Sequence, residues 1–165
     1  MLDEALASAL VNHENFAAWF FRQTKFASES AKCVLVRADN PWSKVNLSHS
    51  PSEDTPLVEI IKECETDVLA IFETDDGRRL AIHIENKLAN GSFTPLQPEL
   101  YRERLTQWRL KPKLGMYTEA TSVLVAPLDF YKRHEAAAKI FESYVSHEDL
   151  SAHIQQFGAG SPSAA

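Results

Sequence analysis

Hydrophobic residues recur at helical spacing along the first part of the chain. The recurring positions, which are three, four or seven residues apart, are Leu2, Leu6, Leu10, Ala17 and Phe20. At about 100° per residue they form one apolar stripe, so the pattern predicts a helix from Leu2 to about Phe26. Glu14 lies at the edge of this stripe. Its carboxylate is therefore expected at the margin of whatever the helix packs against.

The next segments have the patterns of strands and turns. Residues 32–39 predict a strand, and residues 40–56 are turn-rich and polar, which predicts a long loop or an irregular insertion. Residues 56–73 predict at least one strand, which ends in the apolar run TDVLAIFE. Residues 74–77 (TDDG) have the composition of a hairpin turn, and residues 78–87 predict the return strand.

The second half of the chain alternates between helical and strand patterns. Residues 88–93 predict a loop, and the helix that follows extends to about Leu110. Two starts for this helix compete: Thr94 begins a capping box that Gln97 completes, whereas Gln97-Pro98 would start the helix three residues later. Strands are predicted at residues 121–128 and 139–145, and Ser146 is expected to cap a last helix with Asp149 at its third position.

The order of these elements predicts an α/β fold: a mixed central β-sheet that contains an antiparallel hairpin and is flanked by α-helices. Residues 1–157 are expected to form a single domain. Residues 158–165 (GAGSPSAA) predict a flexible C-terminal tail.

Composition narrows the class of protein. The chain has 165 residues, of which 44% are hydrophobic, and its formal net charge is −6. An acidic protein does not attract a polyanion unspecifically, so a nucleic-acid substrate would need a local basic patch or bound cations. The two cysteines are expected to be free thiols, and they are too few for a four-thiolate metal site. With no basic leader and no apolar run of about 20 residues, the protein is expected to be cytoplasmic and to have no contact with a membrane.

Charged residues at the ends of two neighbouring strands point to metal chemistry. Side chains alternate along a strand, so Glu85 and Lys87 lie on one face. Asp67 opens the preceding strand, and the hairpin between them can bring its carboxylate to the same end of the sheet. Two carboxylates suit Mg²⁺, which completes its coordination with waters and phosphate oxygens. His83 shares this face, but it is interpreted as a core or surface histidine.

These residues resemble the pattern of the PD-(D/E)XK nuclease superfamily. The resemblance depends on Asp67 in ETDVLAIFE, on the E-x-K motif of IHIENK, and on Gln97 and Tyr101, which are spaced as Q-x-x-x-Y on the following helix. Glu14, in HENFAAWFF, is similar to the helical glutamate of the family. The segments VLVAPLDFY and FESYVSHEDL resemble the strand–strand–helix ending of its bacterial members. Thr66 stands where the family's name-giving proline would precede Asp67.

The resemblance implies a restriction-endonuclease-like core and a nuclease that depends on Mg²⁺ or Mn²⁺. Asp67 and Glu85 would bind the metal, with the main-chain carbonyl of Asn86 as a further ligand. Lys87 would assist hydrolysis, and Glu14 would be an auxiliary ligand or orienting group. A further set would lie on one helix face and contact nucleic acid, with DNA as the expected substrate: Gln97, Tyr101 and Arg104.

Each of these residues also has an ordinary structural interpretation. Glu85 and Lys87 could form an exposed ion pair, and Asp67 could be a turn residue. Glu14 could be a solvated helix residue. Gln97 could complete a capping box, and Tyr101 and Arg104 could belong to a packing stripe.

The functional alternatives follow from the same residues. The first is a nuclease, in defence against foreign DNA or in repair. The second is a non-catalytic binding or assembly module of the same fold, which acts as a homodimer or through a partner protein. The third is a metal-dependent hydrolase of a small phosphate compound. The sequence does not distinguish DNA from RNA, or endonucleolytic from exonucleolytic cutting.

Overall fold

The computed structural model of the protein describes residues 1–49 and 53–158. Its helices are α1 (Leu2–Asn12), α2 (Glu14–Arg22), α3 (Gln97–Gln107), α4 (Leu128–Arg133), α5 (Glu135–Ala138) and α6 (His147–Leu150), with short 3-10 helices at Pro112–Leu114 and Gln155–Phe157. Its strands are β1 (Ala31–Arg37), β2 (Trp42–His49), β3 (Val58–Glu65), β4 (Val68–Thr74), β5 (Arg79–Asn86), β6 (Glu119–Ala126) and β7 (Ser143–Ser146).

Five of these strands form one mixed sheet in the order β1-β4-β5-β6-β7. Strand β4 is antiparallel to both of its neighbours, β1 and β5, whereas β5, β6 and β7 run parallel. The α/β class, the mixed sheet and the antiparallel hairpin predicted from the sequence are confirmed. The hairpin turn is also confirmed: Gly77 has a φ of 84°, a left-handed conformation that favours glycine.

The N-terminal apolar stripe forms two helices, so the prediction of one helix as far as Phe26 is wrong. The chain leaves helical geometry at His13, which has φ −125° and ψ 95° and separates α1 from α2. The helical periodicity is therefore interrupted between Leu10 and Glu14.

Residues 40–56 contain a strand, so the prediction of a loop there is also wrong. Strand β2 pairs antiparallel with β3 as a separate two-stranded ribbon, from Trp42 opposite Glu65 to His49 opposite Val58. Val45 and Leu47 are buried, while Lys44, Asn46 and Ser48, which alternate with them, are exposed. The segment therefore alternates with the period of a half-buried strand, but its exposed residues give it the composition of a loop.

The sheet has a hydrophobic core on each face. Along β4, the side chains of Val68, Ala70 and Phe72 pack on the face covered by α1 and α2. Leu69 and Ile71 pack on the opposite face, against the β2–β3 ribbon and α3. Burying one such aliphatic or aromatic side chain contributes about 1.5–3 kcal/mol relative to leaving it exposed, so both layers contribute to the stability of the sheet.

The second half of the chain follows the sequence predictions with shifted ends. Helix α3 begins at Gln97, the later of the two predicted starts, and Leu96 precedes it with a φ of 64°. The strand predicted at residues 139–145 is shorter, since β7 begins at Ser143. Ser146 caps α6 by accepting a hydrogen bond from the Asp149 amide at 3.0 Å, as predicted. The short helices α4 and α5 were not predicted.

Two general expectations can be compared with the described residues. Both cysteines, Cys33 and Cys64, are free. Within residues 1–49 and 53–158, no helix has the length and apolar character needed to cross a membrane. Most of the predicted C-terminal tail, residues 159–165, lies outside the described residues.

Candidate active site at the end of strands β4 and β5

Asp67 and Glu85 line one cavity of about 510 Å³ on the α3 face of the sheet. Glu85 is on this face because Ile82 and Ile84 pack on the opposite one, and side chains alternate along β5. Asp67 immediately precedes β4, whose first residue, Val68, pairs with Ile84. The hairpin therefore brings the two carboxylates to the same end of the sheet.

Glu85 is held by three donors. It is only 3% exposed. Tyr101 donates its hydroxyl to Oε2 at 2.6 Å, and the Gln97 amide donates to Oε1 at 2.9 Å. Lys87 Nζ lies 2.9 Å from Oε1. Since a carboxylate offers about four lone-pair sites, these contacts fix the orientation of Glu85 and leave about one site for a further ligand.

Lys87 stands beside Glu85 with its ammonium largely removed from solvent. Its side chain is 14% exposed, and Nζ lies 5.5 Å from the centroid of the Phe93 ring. The main chain at this position is fixed as well, because the Lys87 amide donates to the Val125 carbonyl at 2.8 Å. A buried ion pair of this kind differs from the exposed pair that was the structural alternative.

Asp67 is a carboxylate in an unfavourable electrostatic environment. Its Oδ2 accepts a hydrogen bond from the Asn86 amide at 2.9 Å. Burial raises its pKa to about 8, and the negative charges of Glu85 and Asp3 act in the same direction. The Asn86 amide and Lys87 oppose this shift only in part. Asp67 therefore loses its proton readily only when a cation lies nearby.

The three residues of α3 that were predicted to contact nucleic acid point toward the protein, so they do not form such a face. Tyr101 and Arg104 are fully buried, and the half-buried Gln97 contacts Glu85. Gln97 Oε1 also accepts from the Thr94 amide at 3.1 Å, so the capping interaction and the contact with Glu85 coexist. These residues position the site rather than present a surface to a backbone.

A closed chain of hydrogen bonds lies behind Asp67. Arg104 donates to the Thr66 hydroxyl at 2.9 Å and to the Glu65 carbonyl at 2.5 Å. Because Tyr117 donates its hydroxyl to the Arg104 carbonyl at 3.3 Å, it accepts from His83 Nε2 at 3.2 Å, and the neutral imidazole accepts at Nδ1 from the Thr66 hydroxyl at 3.1 Å. Burial keeps the pKa of His83 well below its ordinary value, so the imidazole is neutral, as this pattern requires.

Arg104 also connects this chain of hydrogen bonds to Glu85. Its guanidinium lies 3.7 Å from the centroid of the Tyr101 ring and 4.8 Å from that of Trp108. The predicted packing stripe on α3 is therefore present, with the arginine stacked inside it. One buried cation supports both the residue before Asp67 and the tyrosine that holds Glu85.

Glu14 does not join the site, which corrects its predicted role as a ligand or orienting group. It is exposed at the start of α2 and lines a different cavity with Cys33 and Phe72. Phe72 is five residues beyond Asp67 along β4, about 17 Å at the rise of an extended strand. Glu14 therefore belongs to the other end of the sheet.

Asp3 is the helical acid that approaches the site, and sequence reasoning missed it. Its Oδ1 accepts from the Asn86 side-chain amide at 2.8 Å, and Asn86 Oδ1 accepts from His147 Nε2 at 2.9 Å. Burial, with a smaller contribution from Glu85, raises the pKa of Asp3. Asp3 precedes Leu6 and Leu10 at helical spacing, so the buried stripe itself was the signal that could have located it.

The donors present fit a cation that needs few protein ligands. Among the described residues, no group of three or more His, Cys, Asp or Glu side chains lies close enough together to hold a metal ion. The carboxylates of Asp67 and Glu85 line the cavity and are available as ligands. This set fits Mg²⁺, which keeps several waters and commonly takes only one or two carboxylates.

Fold and site together define an α/β protein with a buried acidic cluster and a lysine at one end of its central strands. Comparisons of the chain with models of protein families, with curated proteins and with solved structures found no match. The chemistry of the site is therefore inferred from its geometry and charge.

Proposed function

We propose that this protein is a Mg²⁺-dependent nuclease of the restriction-endonuclease-like class that hydrolyses phosphodiester bonds, with DNA as the expected substrate. The observation that carries the proposal is the cluster in which buried Glu85 contacts Lys87 at 2.9 Å while Asp67 lines the same cavity. A structural ion pair would not need a second carboxylate whose ionisation is opposed by its surroundings.

The metal would be held by Asp67, Glu85 and the carbonyl of Asn86. Once bound, Mg²⁺ supplies a Lewis acid that stabilises charge on a phosphoryl oxygen and makes a bound water more acidic. Mn²⁺ is expected to substitute for it, because it accepts the same oxygen donors.

The residues of the chain have separate roles in this proposal. Lys87 directs an ammonium toward the reacting phosphate and neutralises the negative charge that develops on its oxygens. Tyr101 and Gln97 are positioning residues, because they fix the carboxylate of Glu85 and do not touch the substrate. Asp67 must lose its proton to act as a ligand, so metal binding and proton release are coupled.

Charge balance supports the cation as well. Asp67, Glu85 and Asp3 influence one another electrostatically, and Lys87 is the cation that lowers the pKa of Asp67. A divalent ion would compensate the remaining negative charge. It would also give an acidic protein the local positive charge that a phosphodiester requires.

Lysine replacement tests the proposal. Lys87→Ala is expected to reduce Mn²⁺-dependent cleavage of single- and double-stranded DNA by at least about 100-fold, since it removes a charge that stabilises the transition state. The circular dichroism spectrum should keep its wild-type form. The matched control is Lys62→Ala, which removes a lysine of the same cavity and should reduce kcat far less. Wild-type protein that cuts neither substrate and binds no divalent metal would contradict the proposal.

A second candidate is a non-catalytic binding or assembly module that needs a partner protein. The observation that favours it is the net charge of −6, which gives the chain little electrostatic grip on a duplex. This candidate predicts that the purified chain binds no Mn²⁺ and is inactive toward DNA until a co-purified partner is added.

A further inference from the structure

We infer that the site acts on an unpaired nucleotide, and that Trp42 is the aromatic surface on which its base stacks. This inference depends on the proposed nuclease function and adds the class of substrate. It is based on the position of Trp42 at the cavity, on its exposure, and on the charge of the residues around it.

Trp42 is a large aromatic side chain that the fold leaves accessible. It lines the same cavity as Asp67 and Glu85, and it is 48% exposed. The other two tryptophans are more enclosed: Trp108 is fully buried and Trp19 is half-buried. Leaving half of an indole in water forgoes part of the stabilisation that its burial would give, which favours a role in binding.

The backbone holds Trp42 at a fixed position relative to the proposed metal ligands. Trp42 is the first residue of β2 and pairs with Glu65, two positions before Asp67. The amide of Thr66 donates to the carbonyl of Pro41 at 2.9 Å, which ties this corner of the ribbon to the start of β4. The main chain of Trp42 is therefore fixed relative to Asp67 before a substrate binds, which lowers the entropic cost of binding.

The charges around the cavity disfavour a duplex. Glu63 and Glu65 line it on the ribbon side, opposed there by Lys62. Duplex DNA is bound mainly through neutralised phosphates, and this lining offers few cations for that purpose. Base stacking is independent of charge and supplies an attraction that this cavity can provide.

Base stacking also distinguishes single-stranded from double-stranded nucleic acid. The faces of paired bases inside a duplex are covered by their neighbours, whereas an unpaired base offers a free face to an aromatic ring. Lys113 Nζ lies 4.4 Å from the centroid of the Trp42 ring and is exposed. Because this ammonium lies over the ring, its flexible stem must let it move aside, where it can pair with a phosphate next to the stacked base.

The experiment measures binding separately from cleavage. Fluorescein-labelled oligothymidylate, oligouridylate and a blunt duplex are titrated with the full chain. Ca²⁺ replaces Mg²⁺ so that binding is measured without cleavage, because Ca²⁺ occupies oxygen sites with a looser geometry. The wild type is expected to bind the single strands at least about tenfold more tightly than the duplex. Trp42→Ala should lose about tenfold in single-strand affinity, whereas Trp42→Phe should keep most of it.

The control variant is Ile61→Ala, which removes an exposed apolar side chain from the same ribbon and should bind like the wild type. Equal affinity for duplex and single strand, or single-strand binding by Trp42→Ala that matches Ile61→Ala, would overturn the inference. If the wild type cuts DNA with Mg²⁺ and Trp42→Ala binds single strands normally, the nuclease proposal stands and only the role of Trp42 in stacking is contradicted. Stacking-dependent binding without any cleavage would instead support the surface and contradict the nuclease proposal.

Discussion

The surroundings of Asp67 oppose the ionisation of its carboxylate, although its proposed role as a metal ligand requires the ionised form. Burial and the neighbouring carboxylate of Glu85 raise its pKa to about 8, although an unfolded aspartate ionises near 3.8. Ionised Asp67 is therefore unfavourable in the folded protein at neutral and alkaline pH. A residue that lowers stability in this way is typical of a functional site, because such a residue serves binding rather than the stability of the fold.

Replacing Asp67 should therefore make the metal-free protein more stable. Asp67→Asn keeps an oxygen that can accept from the Asn86 amide and removes the charge. At pH 8 the expected gain in the free energy of unfolding is on the order of 1–2 kcal/mol, a figure reduced for the partial exposure of the carboxylate.

Chemical denaturation with and without Mg²⁺ measures this effect. Mg²⁺ should stabilise the wild type and leave Asp67→Asn unchanged, since the variant lacks a ligand. A variant that is less stable than the wild type in the absence of metal would contradict the interpretation of Asp67 as an electrostatically strained carboxylate.

At the residue scale, the sequence revealed those side chains whose position follows from local periodicity. Glu85 and Lys87 share a face because alternation along a strand has a fixed period, and the hairpin turn places Asp67 beside them. Glu14 was assigned to the site by the resemblance alone, and it lines a different cavity beside Leu10 and Phe72. Asp3 was missed because its contact with Asn86 joins residues 83 positions apart in the chain.

At the scale of elements, α3 is the structural support of the site. It supplies Gln97 and Tyr101 to Glu85, and Arg104 to the hydrogen-bond chain that contains Thr66 and His83. Such partners of a metal ligand fix its geometry and affect metal affinity without touching the metal.

Loss of one hydroxyl from α3 should weaken the site without unfolding the protein. Tyr101→Phe removes the donor to Glu85 Oε2 and is expected to lower Mn²⁺ affinity and kcat by about 10- to 100-fold. Because the ring remains stacked on Arg104, the loss of stability should be about 1–2 kcal/mol. Calorimetric titration and thermal unfolding measure the two effects.

A tyrosine elsewhere provides the comparison. Tyr131→Phe changes α4, where the ring stacks on Tyr144 with centroids 4.4 Å apart, and metal affinity should not change. If Tyr101→Phe bound Mn²⁺ and turned over substrate like this control, the tyrosine would be a packing residue only.

Strands were predicted correctly where the hydrophobic pattern and the residue composition indicated the same structure. Strands β4 and β5 are mainly apolar and enclose a turn sequence, and both were expected. Strand β2 was not, because Lys44, Asn46 and Ser48 alternate with its buried residues and give the segment a polar composition. Its burial depends on the end of α3: Trp108, the residue after this helix, donates to the Lys44 carbonyl at 2.9 Å, a contact that local sequence does not encode.

At the scale of the whole molecule, two kinds of buried group set how stability depends on pH. Histidines with a lowered pKa reduce stability at low pH, and an aspartate with a raised pKa reduces it at high pH. Burial keeps the pKa of His83 well below 6.5 and lowers that of His147 to about 4. Below pH 6.5 the unfolded chain takes up protons at these histidines that the folded chain does not, so their contribution to stability is lost as the pH falls. Asp67 keeps its proton up to about pH 8 only when folded, so its contribution is lost as the pH rises.

The metal-free protein should therefore lose stability between pH 6.5 and 8, where Asp67 titrates after the unfolded histidines are already neutral. Melting temperature measured across this range should fall without metal and remain level in saturating Mg²⁺, because the bound cation favours ionised Asp67. Asp67→Asn should also remain level in the absence of metal. An identical pH dependence in all three cases would contradict the assignment of this slope to Asp67.

The class of fold was accessible from the sequence because alternation, turns and helix starts combine into few architectures. The closed hydrogen-bond chain from Arg104 through His83 to Tyr117 was not accessible, since each link joins a different element. Local periodicity therefore indicated the candidate metal ligands, whereas the side chains that hold them in place depend on contacts between distant elements.

The most direct test of the central claim is a calorimetric titration of the full chain with Mn²⁺ near pH 7, repeated in buffers of different ionisation enthalpy. The account predicts one bound ion per chain and release of about one proton, because Asp67 must ionise to bind. Asp67→Asn should abolish both signals. Absence of Mn²⁺ binding by the wild type, or binding that Asp67→Asn leaves unchanged, would contradict it.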